Sequence, residues 1–386
     1  MMESLRDGRV SPQIKTPTVL GTVMVMLWAR MGSLNALEET QQMRFWKWLD
    51  KKVASADTIG RVYTTLRVDL LRKALHGQYS KLKRNKAIKP LEGLMVAVLD
   101  GHETTASYAR HCSGCLSRQI TVGDKERTQY YHRNVTLMLT SKDTEILLDE
   151  AEQRPGEGEV RTAQRLMKRV LKKFPRAFDV VLADALYAGA PFINYLYGKG
   201  KYSLIVLKQE NREIYQDAMG LMKEQAPQKG EYRKRQCLWW DIEGFRSWDG
   251  LDCAMRVVRS QENWQVKRQI DGKFEECHSE WVWVTNLPSS LASTQRVVRL
   301  GHARWDIENP GFNELVNAWH GDHVYKHDSN AIEAFWLTLL LAYNLFHAFV
   351  RLNLKVAGHS LKYWAALMTA ELYAVQDLPE AQVSGP

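Results

Sequence analysis

The chain has 386 residues, of which 45% are hydrophobic, so it is long enough for two or three domains and too apolar to be globally disordered. Its formal net charge of +9 favours a polyanionic partner such as nucleic acid. Five cysteines are too few for a disulfide framework at this length, which predicts a protein of the reducing cytoplasm.

The N-terminal region is predicted to be helical. Its first residues lack a signal-peptide pattern, and from residue 18 apolar side chains recur at helical spacing. Ser55 or Asp57 is suited to cap a helix that starts near residue 58. Basic residues end that helix, and they either form a solvated face or contact DNA phosphates as part of a helix-turn-helix. We favour DNA contact by Lys83, Arg84 and Lys86.

An α/β core is predicted from about residue 91, because apolar runs alternate with helical patterns there. Strands are predicted at residues 94–100, 128–140, 177–184 and 202–209, with an amphipathic helix at 158–175. The first and third of these strands each end in an acid, Asp100 and Asp184.

A β-rich block follows the predicted core strands. It contains several short strands by pattern, with hairpin turns indicated at Asp249-Gly250 and Asp271-Gly272. Helices return after it, and the longest apolar run, residues 335–350, is short for a membrane span and predicts a buried core helix. We therefore expect no membrane association. The predicted divisions of the chain are 1–90, 91–208, 209–293 and 294–375.

Three carboxylates interrupt otherwise apolar or helical patterns. Asp100 and Asp184 end predicted strands, and Glu308 lies on a helical stretch, four residues after Arg304. Each acid alone is equally consistent with a local hydrogen bond at a strand end. Together they form an oxygen ligand set suited to Mg²⁺ or Mn²⁺, and two such ions about 3.5–4 Å apart support phosphodiester chemistry.

The order and flanks of these acids resemble those of the DDE transposases, specifically the IS4-type bacterial insertion-sequence transposases. The similarity covers residues 20 to 350, and its most specific part is the stretch around Glu308. The supporting motifs are SLNALEE (33–39), DG (100–101), HCSGC (111–115), YYH (130–132), ADALYAGAPF (183–192) and RWDIENPGFNEL (304–315).

The resemblance implies an α/β fold: an RNase H-like mixed sheet with flanking helices, a β-rich insertion between the second Asp and the Glu, and an N-terminal helical domain. It implies that Asp100, Asp184 and Glu308 hold two Mg²⁺ or Mn²⁺ ions and that Arg304 faces a DNA phosphate. The implied activity is metal-dependent cleavage at transposon ends followed by strand transfer. The implied partners are double-stranded DNA, as terminal inverted repeats and target, and a second copy of the chain on paired ends, in the bacterial cytoplasm at the nucleoid.

Two positions depart from the IS4 pattern. Gly301 stands where the pattern has a tyrosine, and Leu315 and Val316 stand about where it has a lysine, a role for which Lys326 is a candidate substitute. These departures keep two alternatives open. One is a catalytically impaired, transposase-derived DNA-binding protein, and the other is an RNase H-like nuclease that cuts without joining.

Cys112, Cys115 and His132 have the spacing of part of a structural Zn²⁺ site, for which His102 or His111 would supply the fourth ligand. The alternative is a reduced cysteine pair in a hairpin. A second group, His320, His323 and His327, is more consistent with a turn that contacts DNA than with a metal site.

The β-rich block contains six tryptophans. Such residues usually pack in a core, but the resemblance also implies that one aromatic ring holds a base extruded from the duplex. Candidates for DNA contact are Trp239, Trp240, Trp248 and Trp264, and the first two are preferred.

Overall fold

The computed structural model describes residues 5–39, 54–142, 144–270, 272–305, 307–354 and 359–373. Residues 40–53 of the N-terminal region predicted to be helical, and Asp271 of the second predicted hairpin turn, lie outside this part of the chain. The strands are β1 Val96–Ser107, β2 Leu116–Val122, β3 Lys125–Thr140, β4 Glu145–Glu152, β5 Val180–Ala183, β6 Tyr202–Val206, β7 Gln228–Tyr232, β8 Arg235–Phe245, β9 Met255–Lys267 and β10 Phe274–Thr285.

The described helices lie before, between and after these strands. They are α1 Thr16–Trp28, α2 Leu34–Glu38, α3 Ala56–Thr65, α4 Val68–Arg84, α5 Glu159–Lys173, α6 Ala190–Tyr197, α7 Glu213–Lys223, α8 Thr294–Ala303, α9 Glu314–Trp319, α10 Ser329–Asn353 and α11 Leu361–Tyr373. Of the two candidate caps for α3, Ser55 is the one used, because its hydroxyl accepts a hydrogen bond from the amide of Thr58.

The ten strands form one mixed sheet. Five of these strands form its core, in the order β4-β3-β1-β5-β6. Pairing is antiparallel among β1, β3 and β4 and parallel among β1, β5 and β6. Three antiparallel strands followed by two parallel ones, with helices on both faces, is an RNase H-like arrangement. The predicted fold class is therefore confirmed.

Both faces of the sheet are buried. Successive residues of each strand point to opposite faces, so each strand contributes side chains to two cores. Val96 and Val98 of β1 belong to a core that includes α1, α3, α8 and α10, whereas Ala97 and Leu99 belong to a core with α5, α6 and α7. Asp100 has the parity of Val96 and Val98, so its side chain is directed to the α8 and α10 side.

The β-rich block does not form a sheet of its own. Strand β10 pairs with β6 through Trp283–Val206, and β9, β8 and β7 continue the same sheet outwards. Strands β8, β9 and β10 have 11, 13 and 12 residues, so the expectation of short strands was wrong. They are long because each pairs with its neighbour along most of its length.

Helix α10 is the central element of one core. It is long and apolar enough to cross a bilayer by length and composition, but 72% of its most apolar window is buried inside the protein. Helices α1, α3 and α4 pack against it, and the Tyr63 ring stacks on Phe335 at 3.8 Å between centroids. The interpretation of residues 335–350 as a buried core helix is confirmed.

Candidate active site

Asp100 lies in the middle of β1, which corrects the expectation that it ends a strand. The parallel pairing with β5 covers only Val96–Val98, but the antiparallel pairing with β3 continues, with Asp100 opposite Thr136. The strand therefore runs on to Ser107 after its other neighbour has ended. Asp100 is 9% exposed and lies where the β5 side of β1 becomes unpaired.

Asp184 directly follows β5 and begins a short 3₁₀ turn. Its Oδ1 accepts a hydrogen bond of 2.9 Å from the amide of Leu186, so the acid caps the turn. This position places Asp184 at the carboxyl end of a parallel strand, where active-site side chains of open α/β sheets commonly lie.

Glu308 lies in a π-helical turn, Ile307–Asn313, between α8 and α9. Pro310 has no amide hydrogen to donate to a regular α-helical bond, and the chain here adopts the wider turn. Such π-helical segments are frequent at functional sites. The turn packs against β1, which brings Glu308 to the strand that carries Asp100.

Arg304 joins the first and third acids. Its Nη1 lies 3.5 Å from Asp100 Oδ2 and 3.0 Å from Glu308 Oε1, and its side chain is only 7% exposed. The resemblance to the IS4-type transposases implies that Arg304, one helical turn before Glu308, faces a DNA phosphate. In this structure its guanidinium instead occupies the space between two carboxylates, as a cation would.

The electrostatics of Asp100 reflect this crowding. Burial raises the pKa of Asp100 to about 7, and the nearby Asp184 and Glu308 carboxylates also raise it, while Arg304 and the Gly101 amide act in the opposite direction. The three acids, separated by 84 and 124 positions in sequence, therefore influence one another directly. A carboxyl group with such a pKa is a candidate functional group.

A group of polar residues behind Asp100, formed by Glu159, Tyr187 and Arg133, was not predicted from the sequence. Gly101 faces the α5 side, where a β-carbon on it would lie 2.4 Å from the carboxyl carbon of Glu159. That carboxylate accepts a 2.8 Å hydrogen bond from the Tyr187 hydroxyl and lies 2.6 Å from Arg133 Nη2. Burial and the carboxylates of Glu159, Asp100 and Asp184 raise the pKa of Tyr187 well above its usual value.

Gly101 and Tyr187 lie within motifs noted in the sequence, but their contacts with Glu159 can be recognised only once the fold is known. The glycine of the DG pair leaves room for Glu159, and Tyr187 lies three residues after Asp184 in ADALYAG. Glu159 opens a predicted amphipathic helix, where an acid is favourable for the helix dipole alone. For that reason nothing marked it as a neighbour of the acids.

An open cleft borders Asp100 and Glu308. It is lined by Asp100, Gly101, His102, Glu308, Phe312, Asn313, Val316 and Asn317. His102 stacks on Phe312 with 4.7 Å between ring centroids. Val316, which also lines the cleft, makes its wall apolar near the position where the IS4 pattern has a lysine. Leu315 is fully buried.

The other departure, Gly301, has a packing cause. A β-carbon on Gly301 would lie 2.4 Å from the ring of Trp283, which occupies the space that a tyrosine would need. Trp283 itself stacks on Trp281 with 6.0 Å between ring centroids. Glycine at 301 and tryptophan at 283 are thus a matched pair.

The acid cluster fits divalent cations by its donor chemistry. It offers three carboxylates, and Arg304 already balances two of them. In the described part of the chain, no three of these ligand oxygens all lie within 4.8 Å of one another. One ion would therefore not contact all three acids in this conformation.

The basic residues predicted for DNA contact are not brought to this cleft. Lys83, Arg84 and Lys86 are exposed at the end of α4, and Lys83 donates a 2.9 Å hydrogen bond to the Arg176 carbonyl, just before β5. They therefore lie at the opposite end of β5 from Asp184. Lys326 lies against Gly60 of α3, outside the residues that line the cleft.

The four candidate tryptophans differ in placement. Trp239 is 5% exposed and its indole donates a 3.1 Å hydrogen bond to Ser260, so the expectation that its ring contacts DNA is corrected by its position in the core. The other three are half-buried, and each lies under an arginine. The pairs are Trp240 with Arg259 at 4.8 Å, Trp248 with Arg212 at 4.4 Å, and Trp264 with Arg235 at 4.1 Å.

The predicted cysteine–histidine group does assemble, but with an unexpected member. Cys112, Cys115 and His132 lie together with His327, and their ligand atoms are all within 4.8 Å of one another. Neither proposed fourth ligand is there, because His102 stacks on Phe312 and His111 stacks on Tyr130.

The HxxHxxxH stretch is therefore not a unit. His320 Nε2 bonds to the Arg30 carbonyl at 2.9 Å, and the His323 ring packs on Tyr325. Only His327 lies beside the cysteines, so the three histidines do not form one cluster.

Comparison with known proteins identifies one family. The model of the family described as the transposase DDE domain matches residues 125–345, which is more than half of the chain. The match includes Asp184, Arg304 and Glu308, while Asp100 lies upstream of it. A search of curated proteins finds no relative.

Proposed function

This chain belongs to the transposase DDE domain family, and from that premise we propose that it is a cut-and-paste DNA transposase of the IS4 type. Members of the family act on nucleic acid as transposases and generally use divalent metal ions. The finer assignment consists of cleavage at transposon ends, strand transfer into target DNA, and Asp100, Asp184 and Glu308 as the catalytic acids.

One observation carries the proposal. Three acids from separate segments converge beside the carboxyl end of β5, and the guanidinium of Arg304 lies between two of them. An arginine in that place indicates that the cluster is built to hold positive charge.

We assign the residues as follows. Asp100, Asp184 and Glu308 would hold two Mg²⁺ or Mn²⁺ ions, which when bound activate the attacking water and stabilise the leaving oxygen. Arg304 then exchanges its carboxylate partners for a phosphate, which its planar guanidinium binds well. Glu159 of α5, Tyr187 and the half-buried Arg133 of β3 form a network that joins β3 to the turn after β5.

The DNA path is proposed from the basic and aromatic surface. Lys83, Arg84 and Lys86 would contact terminal repeat DNA away from the cut, within a helical DNA-binding region at residues 1–90. Trp240 and Lys326 are further candidate contacts. Residues 91–208 and 294–375 would form the catalytic core, residues 209–293 the insertion, and two copies of the chain would act on paired ends.

The test is Asp100→Asn. We expect strand nicking of DNA that carries the element's terminal repeats to fall by at least about 10³-fold, because a metal ligand is lost, while end binding in a mobility-shift assay stays within about twofold. Asp217→Asn, on the exposed side of α7, removes an equal charge and should nick normally. Normal nicking by Asp100→Asn would overturn the assignment.

A strand-transfer assay with pre-cleaved ends separates the alternatives. Joining to target DNA supports the transposase, and cutting without joining supports a nuclease. The impaired-protein alternative is favoured by the apolar Val316 in the cleft wall. It predicts end binding by the wild-type protein without metal-dependent nicking.

A further inference from the structure

Four potential metal ligands meet beside the α10 N-terminus. Cys112 and Cys115 lie in the loop between β1 and β2, His132 lies on β3, and His327 lies in the loop before α10. The Sγ atoms are 3.8 Å apart, and His132 Nε2 lies 3.3 Å from Cys112 Sγ and 3.2 Å from Cys115 Sγ. His327 Nε2 lies 3.6 Å from Cys115 Sγ.

These separations are those of a tetrahedral zinc site. With Zn–S bonds of about 2.3 Å and Zn–N bonds of about 2.0–2.1 Å, tetrahedral ligands are separated by about 3.8 Å for two sulfurs and about 3.5 Å for sulfur and nitrogen. A disulfide would bring the sulfurs to about 2.05 Å, so the 3.8 Å separation fits two metal-bound thiolates and not a disulfide.

The surroundings support the ligands. The amide of Cys112 donates to Cys115 Sγ at 3.2 Å, which would stabilise a thiolate there. His132 Nδ1 lies 2.5 Å from Glu152 Oε1, so a carboxylate orients the imidazole and leaves Nε2 directed at the sulfurs. Gly114 allows close packing, because a β-carbon on it would lie 2.5 Å from Ser329 Oγ of α10.

We propose that Cys112, Cys115, His132 and His327 bind one structural Zn²⁺ ion. All four positions are filled by protein ligands, so the site is closed and has no place for a substrate. The ligand set spans 215 positions of sequence, from Cys112 to His327, and joins the loop after β1 to the segment that follows the Glu308 turn. Zinc would thereby clamp the β2–β3 hairpin onto the start of α10.

The test measures metal content of the full chain, purified without chelator. We expect one zinc per chain, lost in Cys115→Ser and in His327→Ala. Cys277→Ser and His323→Ala are matched controls, because both residues lie outside the cluster, and each should keep its zinc. His327→Cys should also keep it, because a Cys₃His set still binds zinc.

Cobalt substitution tests the ligands where a variant folds poorly. The Co²⁺ protein should show thiolate-to-metal charge-transfer absorption, which shifts in His327→Cys and is unchanged in His323→Ala. Wild-type protein that neither contains nor takes up zinc would overturn the proposal. So would a Cys112–Cys115 disulfide in the purified protein, or unchanged zinc in His327→Ala. None of these measurements depends on transposition, so the site can fail or stand independently of the proposed function.

Discussion

At the scale of single residues, Asp100 combines opposing influences. Burial raises its pKa to about 7, whereas Arg304 favours the charged form. In the folded protein without cations the carboxyl therefore holds its proton to a higher pH than in the unfolded chain. A carboxyl group shifted in this direction weakens folding as the pH rises from the unfolded pKa, near 4, through about 7.

The raised pKa of Asp100 gives a prediction for the stability of the protein. Without added Mg²⁺ or Mn²⁺, Asp100→Asn should raise the free energy of unfolding, and the gain should be larger at pH 8 than at pH 5.5 by roughly 2 kcal/mol. Denaturant unfolding at the two pH values measures it. Asp217→Asn serves as the charge-matched control, and a gain independent of pH would contradict the pKa shift.

How much of the site the sequence could predict also depends on individual residues. The position of Asp184 after a strand and of Glu308 on a helical turn could be predicted from local patterns, whereas their assignment as one ligand set rests on the resemblance to the IS4-type transposases. Glu159 and His327 could not, because their roles arise from contacts across the sheet and across 215 positions of chain. No local pattern records that Gly101 makes room for a carboxylate.

At the scale of elements, the edge strand β4 has an unusual partner in α10. The Asn344 side chain accepts a 2.9 Å hydrogen bond from the Leu147 amide and donates one of 2.9 Å to the Leu147 carbonyl. One side-chain amide thus replaces the backbone of a neighbouring strand. It satisfies two backbone groups that would otherwise be buried without partners.

Replacing the Asn344 side chain should lower the free energy of unfolding. Asn344→Leu leaves both Leu147 groups unpaired, and we expect a loss of about 3 kcal/mol in the free energy of unfolding. Asn353→Leu makes the same change at an exposed position of α10, and it should cost less than about 1 kcal/mol. Chemical denaturation of the two variants gives the comparison, and equal losses would show that Asn344 does not carry this role.

Element boundaries show where sequence patterns fail. Strand β5 and helix α5 were predicted closely because the spacing of apolar residues is a local property. The end of β1 was misplaced at Asp100, since its continuation depends on β3, a partner more than 20 residues away. The insertion strands were underestimated for the same reason, because pairing between strands sets their length.

At the scale of the whole molecule, the net charge of +9 is the property that bears on DNA. Binding to terminal repeat DNA should weaken linearly on a plot of log affinity against log salt, with a slope of about −0.9 per phosphate contacted. Changing Lys83, Arg84 and Lys86 to alanine should make that slope shallower by about 2–3. Titrations at several salt concentrations measure it.

The control removes equal charge elsewhere. Arg161, Lys168 and Lys172 are exposed on α5, which covers the sheet face opposite Asp100. Their joint replacement by alanine should change the slope by less than one unit. If both triple variants behave alike, the basic end of α4 is a solvated surface.

The continuous sheet also sets the distance between Asp100 and the strands of the insertion. Five strand spacings separate β1, with Asp100, from β8, with Trp240, which amounts to about 24 Å at about 4.8 Å per spacing. Along straight duplex DNA this distance corresponds to about seven base pairs at 3.4 Å per step. A base extruded beside the cut would therefore not reach Trp240. The ring adjacent to Arg304, that of Trp305, is 38% exposed and lies much nearer to the acids.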